Sequence, residues 1–198
     1  VSYRIPADRI VAGTYLAACL SAGGHIFLEE APAEQMRSVL EKAACMGAVI
    51  EVTGTGMEII CEEKPKNLPY LATACYPGFP TDLQSPFLSV MTIARGMGVI
   101  EEKVFENRFR IVEELRKMGA WITINGQMAM VSGGKRLQGT KVCARELRGG
   151  AALVVAGAAA EGMTVVENKH YIDRGYEDIV TDMCNLGVRI ERVNEACE

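Results

Sequence analysis

One stretch of this chain recurs three times, and a repeat limits the possible folds before any single residue is considered. The copies run Ala22–Ala48, Ala94–Ala120 and Ala160–Val188. In each, a glycine (Gly23, Gly96 or Gly162) ends a run of small apolar residues, and a short β-prone run follows. An amphipathic segment then leads to a second glycine (Gly47, Gly119 or Gly187), after which another β run begins. The second glycines lie 72 and 68 residues apart. That spacing exceeds the 20–50 residues of most solenoid repeats, and suits a β-α-β-α-β-β unit.

The segments before the first glycines are rich in Ala, Gly and Leu, as in Ala151–Ala159. Helices without charge on any face are buried on most of their surface. The second segments carry apolar residues at helical spacing, as with Val112, Leu115 and Met118, and predict helices with one face outward. The β runs are His25–Leu28, Val49–Val52, Val99–Ile100, Trp121–Ile124, Thr164–Val166 and Val188–Glu191. Thr53–Gly56 and Asn125–Gln127 read as hairpin turns between strands. The expected fold is α/β: three repeated β-α-β-α-β-β units with pseudo-threefold symmetry, buried helices inside and sheets outside. One domain spanning 1–198 is expected, with repeats at about 1–65, 66–138 and 139–198 and Lys64–Asn67 as the joint between the first two. The chain begins at Val1, so it reads as a piece of a longer gene product.

Twenty-one basic and twenty-five acidic residues give a net charge of −4, which argues against a polyanion-binding surface and against nucleic acid as a partner. Seven cysteines (Cys19, Cys45, Cys61, Cys75, Cys143, Cys184 and Cys197) are scattered with no C-x-x-C pair. They read as reduced thiols of a cytoplasmic protein, not as a disulfide framework or a metal site. No metal or other cofactor is expected. With no apolar run of about 18 residues and no leader pattern, neither membrane insertion nor export is expected.

Residues unique to one copy are candidates for function. Before the buried helices the copies read Pro6-Ala7-Asp8-Arg9, Pro80-Thr81-Asp82 and Arg145-Glu146-Leu147-Arg148. Asp82 has two readings, a helix N-cap or a general base facing a cleft, and the pattern does not choose between them. Before the outer helices stand Phe105–Phe109 and His170–Glu177. Arg174 precedes Gly175, which leaves room for a ligand beside the guanidinium; the alternative is an ion pair with Asp173 or Glu177. His170 reads as structural. Arg108, Arg148 and Arg174, from two repeats, are candidates for an anion site suited to phosphate or carboxylate.

Pro77–Gln84, Phe105–Phe109, Met118–Ala120 and His170–Glu177 together resemble the UDP-N-acetylglucosamine enolpyruvyl transferase (carboxyvinyltransferase) family over essentially the whole chain. The family fold has two three-repeat domains with the active site between them, and this chain resembles the second. The resemblance implies transfer of the enolpyruvyl group of phosphoenolpyruvate to the 3'-hydroxyl of UDP-N-acetylglucosamine, the first committed step of peptidoglycan synthesis. Asp82 would accept the hydroxyl proton, Arg174 would hold phosphoenolpyruvate, and Arg148 would orient the reacting acid groups. Thr81, Val104 and Phe105 would line the sugar-nucleotide site. The family usually has Asp-Leu-Arg where this chain has Glu146-Leu147-Arg148, which leaves the role of Glu146 open. The family's proton donor, a cysteine or aspartate on a loop of the first domain, is absent here, and Cys75 does not match it. The implied partner is that missing N-terminal domain, and no turnover is expected without it. A noncatalytic binding domain on the same fold, or the shikimate-pathway transferase, are the alternatives.

Overall fold

The computed structural model describes residues 2, 3 and 5–193; Cys197 lies outside them. The first unit runs α1 (Arg9–Ala22), β1 (Gly24–Glu29), α2 (Arg37–Met46), β2 (Val49–Val52) and β3 (Gly56–Cys61). The second is β4 (Tyr70–Ala72), α3 (Gln84–Ile93), β5 (Met97–Glu101), α4 (Val112–Lys117), β6 (Trp121–Asn125) and β7 (Met128–Ser132). The third is β8 (Lys141–Cys143), α5 (Leu147–Ala159), β9 (Val165–Glu167) and α6 (Ile179–Asn185). The glycines that close the outer helices, Gly47, Gly119 and Gly187, all hold positive φ, between 92° and 113°, where a residue without Cβ is unstrained.

α1, α3 and α5 pack on one another at the centre. Small residues at their contacts, among them Ala17, Ser89, Ala151 and Ala152, are buried, and the Ser89 hydroxyl donates to the Ala152 carbonyl at 2.8 Å. Leu16, Leu20, Phe87, Leu88 and Met91 are fully buried around them, each contributing about 1.5–3 kcal/mol by leaving water. Three sheets lie outside this bundle. The middle one has the order β4-β5-β7-β6, with β4 parallel to β5 and the remaining pairs antiparallel. The first sheet is β1-β3-β2, and the third is the parallel pair β8-β9. Buried helices inside and sheets outside are therefore what the chain folds into.

Only the middle unit has all six elements among the described residues. Among the described residues the first has no strand ahead of α1, and β1 has no parallel neighbour like the one β4 gives β5. In the third, Val188–Glu191 does not form the expected strand. Extended backbone becomes a strand only when a neighbour accepts its ladder, and no described segment occupies the place that β7 takes beside β6. Val188 and Ile190 still pack against the core.

The joints between units repeat. Lys66 N donates to Met46 O at 2.9 Å, and Gln138 N to Met118 O at 2.8 Å. Parallel bridges Lys66–Arg95 and Gln138–Glu161 follow at equivalent places, so Lys64–Asn67 is a pinned joint. The C-terminal ends of the three central helices meet around a cavity of about 280 Å³, lined by Ala22, Ile93 and Ala159 with Lys64, Lys135 and Arg136.

Candidate active site

The three central helices start on the same side of the molecule. Near the start of α1, the side chain space of Gly13 is filled by Leu83, just before α3. Arg148, at the start of α5, reaches Asp82. An acid precedes each helix, but only two of the three side chains cap it. Asp8 Oδ1 caps α1, accepting from Ile10 N at 2.6 Å. Glu146 caps α5 with both oxygens, accepting from Gly149 N at 2.7 Å and Arg148 N at 3.2 Å. Asp82 caps nothing: the 3-10 turn Thr81–Leu83 and α3 both begin without a side-chain cap. Of the two readings of Asp82, the N-cap is thereby removed.

The Asp82 carboxylate is held by arginines instead. Arg108 Nη2 lies 3.0 Å from Oδ1, and Arg148 Nη2 lies 3.4 Å from Oδ2. Arg108 also donates from Nε to the Thr81 hydroxyl at 3.3 Å and approaches Glu146 at 3.5 Å. Its guanidinium lies 5.3 Å from the centre of the Phe105 ring, within cation–π range. Both arginines are mostly buried (18% and 16% of the side chain exposed), while Asp82 is 39% exposed. The result is a carboxylate fixed from behind and open in front. Arg148 Nη1, buried, has no hydrogen-bond partner among the described residues, which leaves a cationic donor unused beside Asp82.

Phe105 projects from the turn after β5 and is half exposed, and Val104 beside it is partly buried. Thr81, Asp82, Val104, Phe105, Arg108 and Arg148 thus form one open shelf. Arg174 stands apart: it is exposed and pairs with no carboxylate among the described residues, and Asp173 is taken by Lys169 at 2.8 Å. The turn that carries it packs against the start of α5, since a Cβ on Gly175 would come within 2.7 Å of the Leu147 side chain. The space beside Gly175 is therefore filled by Leu147 and does not admit a ligand, which corrects the reason given above for that glycine. Tyr176 is buried next to it, 2.7 Å from the Thr14 hydroxyl of α1. Burial pushes its phenol up against the opposing effects of Thr14 and the neighbouring Arg148 guanidinium. His170 is exposed and stacks on Tyr171, with ring centres 4.3 Å apart.

Two site residues were not read from the sequence as such. Glu146, whose role the resemblance left open, proves to be the cap of α5 and a second anion near Arg108. Glu102 lies buried behind the shelf, in contact with Thr81 and the backbone of Val104 and Phe105.

Among the described residues no group of three or more His, Cys, Asp or Glu is placed to hold a metal. Cys19, Cys45, Cys61, Cys75, Cys143 and Cys184 are free thiols. No helix of the described residues is long and apolar enough to cross a membrane.

Similarity to known proteins adds to this geometry. A protein of Caldanaerobacter subterraneus subsp. tengcongensis named UDP-N-acetylglucosamine 1-carboxyvinyltransferase 2 is 42% identical over 191 residues, covering 96% of this chain and 46% of the relative. The UDP-N-acetylglucosamine 1-carboxyvinyltransferase of Desulfovibrio desulfuricans is 43% identical over the same length and the same shares. The chain thus spans about half the length of the curated relatives it matches. The crystal structure of the enolpyruvyl transferase NikO from Streptomyces tendae superposes with a TM-score of 0.77 at 26% identity, over 92% of this chain and 43% of that one. An EPSP synthase from Acinetobacter baumannii shares the fold, with a TM-score of 0.61 at 21% identity over 83% of this chain and 40% of its own. The sequence profile of the family described as EPSP synthase (3-phosphoshikimate 1-carboxyvinyltransferase) matches residues 1–183, and the chain belongs to that family.

Proposed function

We propose that this chain supplies one half of the active site of an enzyme that moves the enolpyruvyl group of phosphoenolpyruvate onto the 3'-hydroxyl of UDP-N-acetylglucosamine. The observation that carries the reading is Asp82: alone of the three acids before the central helices it is released from capping, held by two arginines and exposed on one side. The acceptor is favoured over shikimate phosphate because the relatives at 42% and 43% identity are named for the sugar nucleotide. This assignment puts the protein in the cytoplasm, at the entry to peptidoglycan synthesis.

In this reading the sugar hydroxyl adds to C2 of phosphoenolpyruvate while its proton passes to Asp82, and C3 gains a proton from an acid of the other domain. Phosphate then leaves C2 as C3 gives up a proton. Asp82 holds its proton only transiently, so placement matters more than basicity. Arg108 and Arg148 fix that placement. Arg174, exposed at the turn beside α5, is the residue free to close on phosphoenolpyruvate. Thr81, Val104 and Phe105 form the sugar-nucleotide wall. The open shelf matches an interdomain site: without the other domain, water is not excluded and the anion is not clamped. We accordingly expect no turnover from residues 1–198 alone.

The test is phosphate release by the full-length protein with phosphoenolpyruvate and each acceptor in turn. UDP-N-acetylglucosamine should support turnover and shikimate 3-phosphate should not. Asp82→Ala should lower kcat by about 100-fold or more while sugar-nucleotide binding persists in calorimetry. Undiminished turnover by that variant rejects Asp82 as the base, and turnover only with shikimate 3-phosphate rejects the acceptor.

A further inference from the structure

Glu102 follows β5 directly and its side chain is 1% exposed. Among the described residues no lysine, arginine or histidine pairs with it, so hydrogen bonds alone compensate for its burial. Four converge on it. Oε1 accepts from the Thr73 hydroxyl at 2.7 Å, from Val104 N at 2.8 Å and from Phe105 N at 3.0 Å. Oε2 accepts from the Thr81 hydroxyl at 2.8 Å.

The direction of each bond follows from the neighbours. The two backbone N–H groups can only donate. The Thr73 oxygen already accepts from Lys103 N at 2.9 Å, and the Thr81 oxygen from Arg108 Nε at 3.3 Å. Each hydroxyl therefore turns its own proton toward Glu102. A chain of directed bonds results: Glu102 takes the Thr81 proton, the Thr81 lone pair faces Arg108, and Arg108 Nη2 holds Asp82 Oδ1 at 3.0 Å. The same carboxylate folds residues 103–105 into a turn and so places Val104 and Phe105.

We propose that Glu102 is a positioning residue that acts on Asp82 through Thr81 and Arg108 and on the sugar-nucleotide wall through the backbone of residues 104 and 105. It rests on the reading of Asp82 as the base. The two arms make separate predictions. Glu102→Gln retains volume and an oxygen for the three bonds at Oε1, but points an NH2 group at Thr81, where a donor already lies on the other side. The Thr81 hydroxyl must then accept from residue 102 and turn its own proton elsewhere, which disturbs its contact with Arg108 while the wall is kept. Glu102→Ala removes both arms.

The experiment uses the full-length protein, with phosphate release as the assay and thermal melting as the control for folding. Glu102→Gln should lower kcat roughly tenfold to a hundredfold, the scale of a small misplacement at a reacting centre, with the KM for UDP-N-acetylglucosamine within about threefold of wild type. Thr81→Val should lose about as much, Thr81→Ser much less, and Thr81→Val combined with Glu102→Gln no more than Thr81→Val alone, because residues acting as one unit are not additive. Glu102→Ala, where it folds, should raise that KM as well. Wild-type turnover by Glu102→Gln overturns the proposal, and so do losses that multiply in the double variant. A failure of the Asp82 reading shows differently, as full activity in Asp82→Ala.

Discussion

Asp8, Asp82 and Glu146 stand at related places before three equivalent helices, and what separates them is whether the side chain satisfies backbone N–H groups. Two are committed to the backbone, and the third meets only guanidinium groups and solvent. Replacing Glu146 tests the distinction. Glu146→Ala should cost about 1 kcal/mol as a lost cap, a fall in melting temperature of about 2–4 °C for a chain of this size, and should also reduce turnover by releasing Arg108 on one side. Glu146→Asp should restore the cap. Thr81, Asp82, Phe105, Arg108 and Arg148 were legible because PTD, FENR and ELR stand where the three copies diverge, whereas Val104 entered only through the family resemblance. Glu102 was not legible in that way, because Glu101-Glu102-Lys103 looks like a solvated charge run. The alternation along β5 was the available signal: Gly98 and Ile100 face the core, and position 102 continues their side of the strand.

At the scale of elements, the central helices were readable from their lack of charge, and the outer ones from period and terminal glycines. β4 and β8 were missed because three residues are too few to show alternation and their stability comes from a parallel neighbour distant in sequence. Val188–Glu191 erred in the opposite direction, with a good alternating pattern and no strand partner among the described residues. α4 carries a feature with a measurable pH signature. Burial raises the Glu114 carboxyl, but Lys117 at 2.7 Å, Cys143 N at 3.1 Å and Arg145 at 3.5 Å outweigh it and hold the group below the usual carboxylate range. A depressed folded-state value means that Glu114 stabilises above its unfolded pKa of about 4.3. That contribution is lost as pH falls through the folded value. Melting temperature of the wild type should therefore drop more steeply than that of Glu114→Gln below about pH 4.3. The variant should be about 1–3 kcal/mol less stable at pH 7, and the two curves should converge in acid.

Across the whole molecule, the arrangement of the three central helices has an electrostatic consequence that a count of formal charges conceals. All three begin at the shelf and end at the opposite face, so their peptide dipoles add. Each places roughly half a positive charge at its start and half a negative charge at its end. The positive helix ends thus gather, with Arg108 and Arg148, on the side where two anionic substrates are proposed to meet, and the carboxylates of Asp8, Asp82 and Glu146 partly offset them. Lys64, Lys135 and Arg136 stand at the other end, where cations oppose the helix C-termini. A helix end acts mainly within its adjoining turn, and the arginines beside it extend the attraction to an approaching anion. Association of the full-length protein with UDP-N-acetylglucosamine should therefore slow as ionic strength rises, even in a variant with Arg174 neutralised. A rate indifferent to salt would mean that the rest of the full-length protein cancels this polarity.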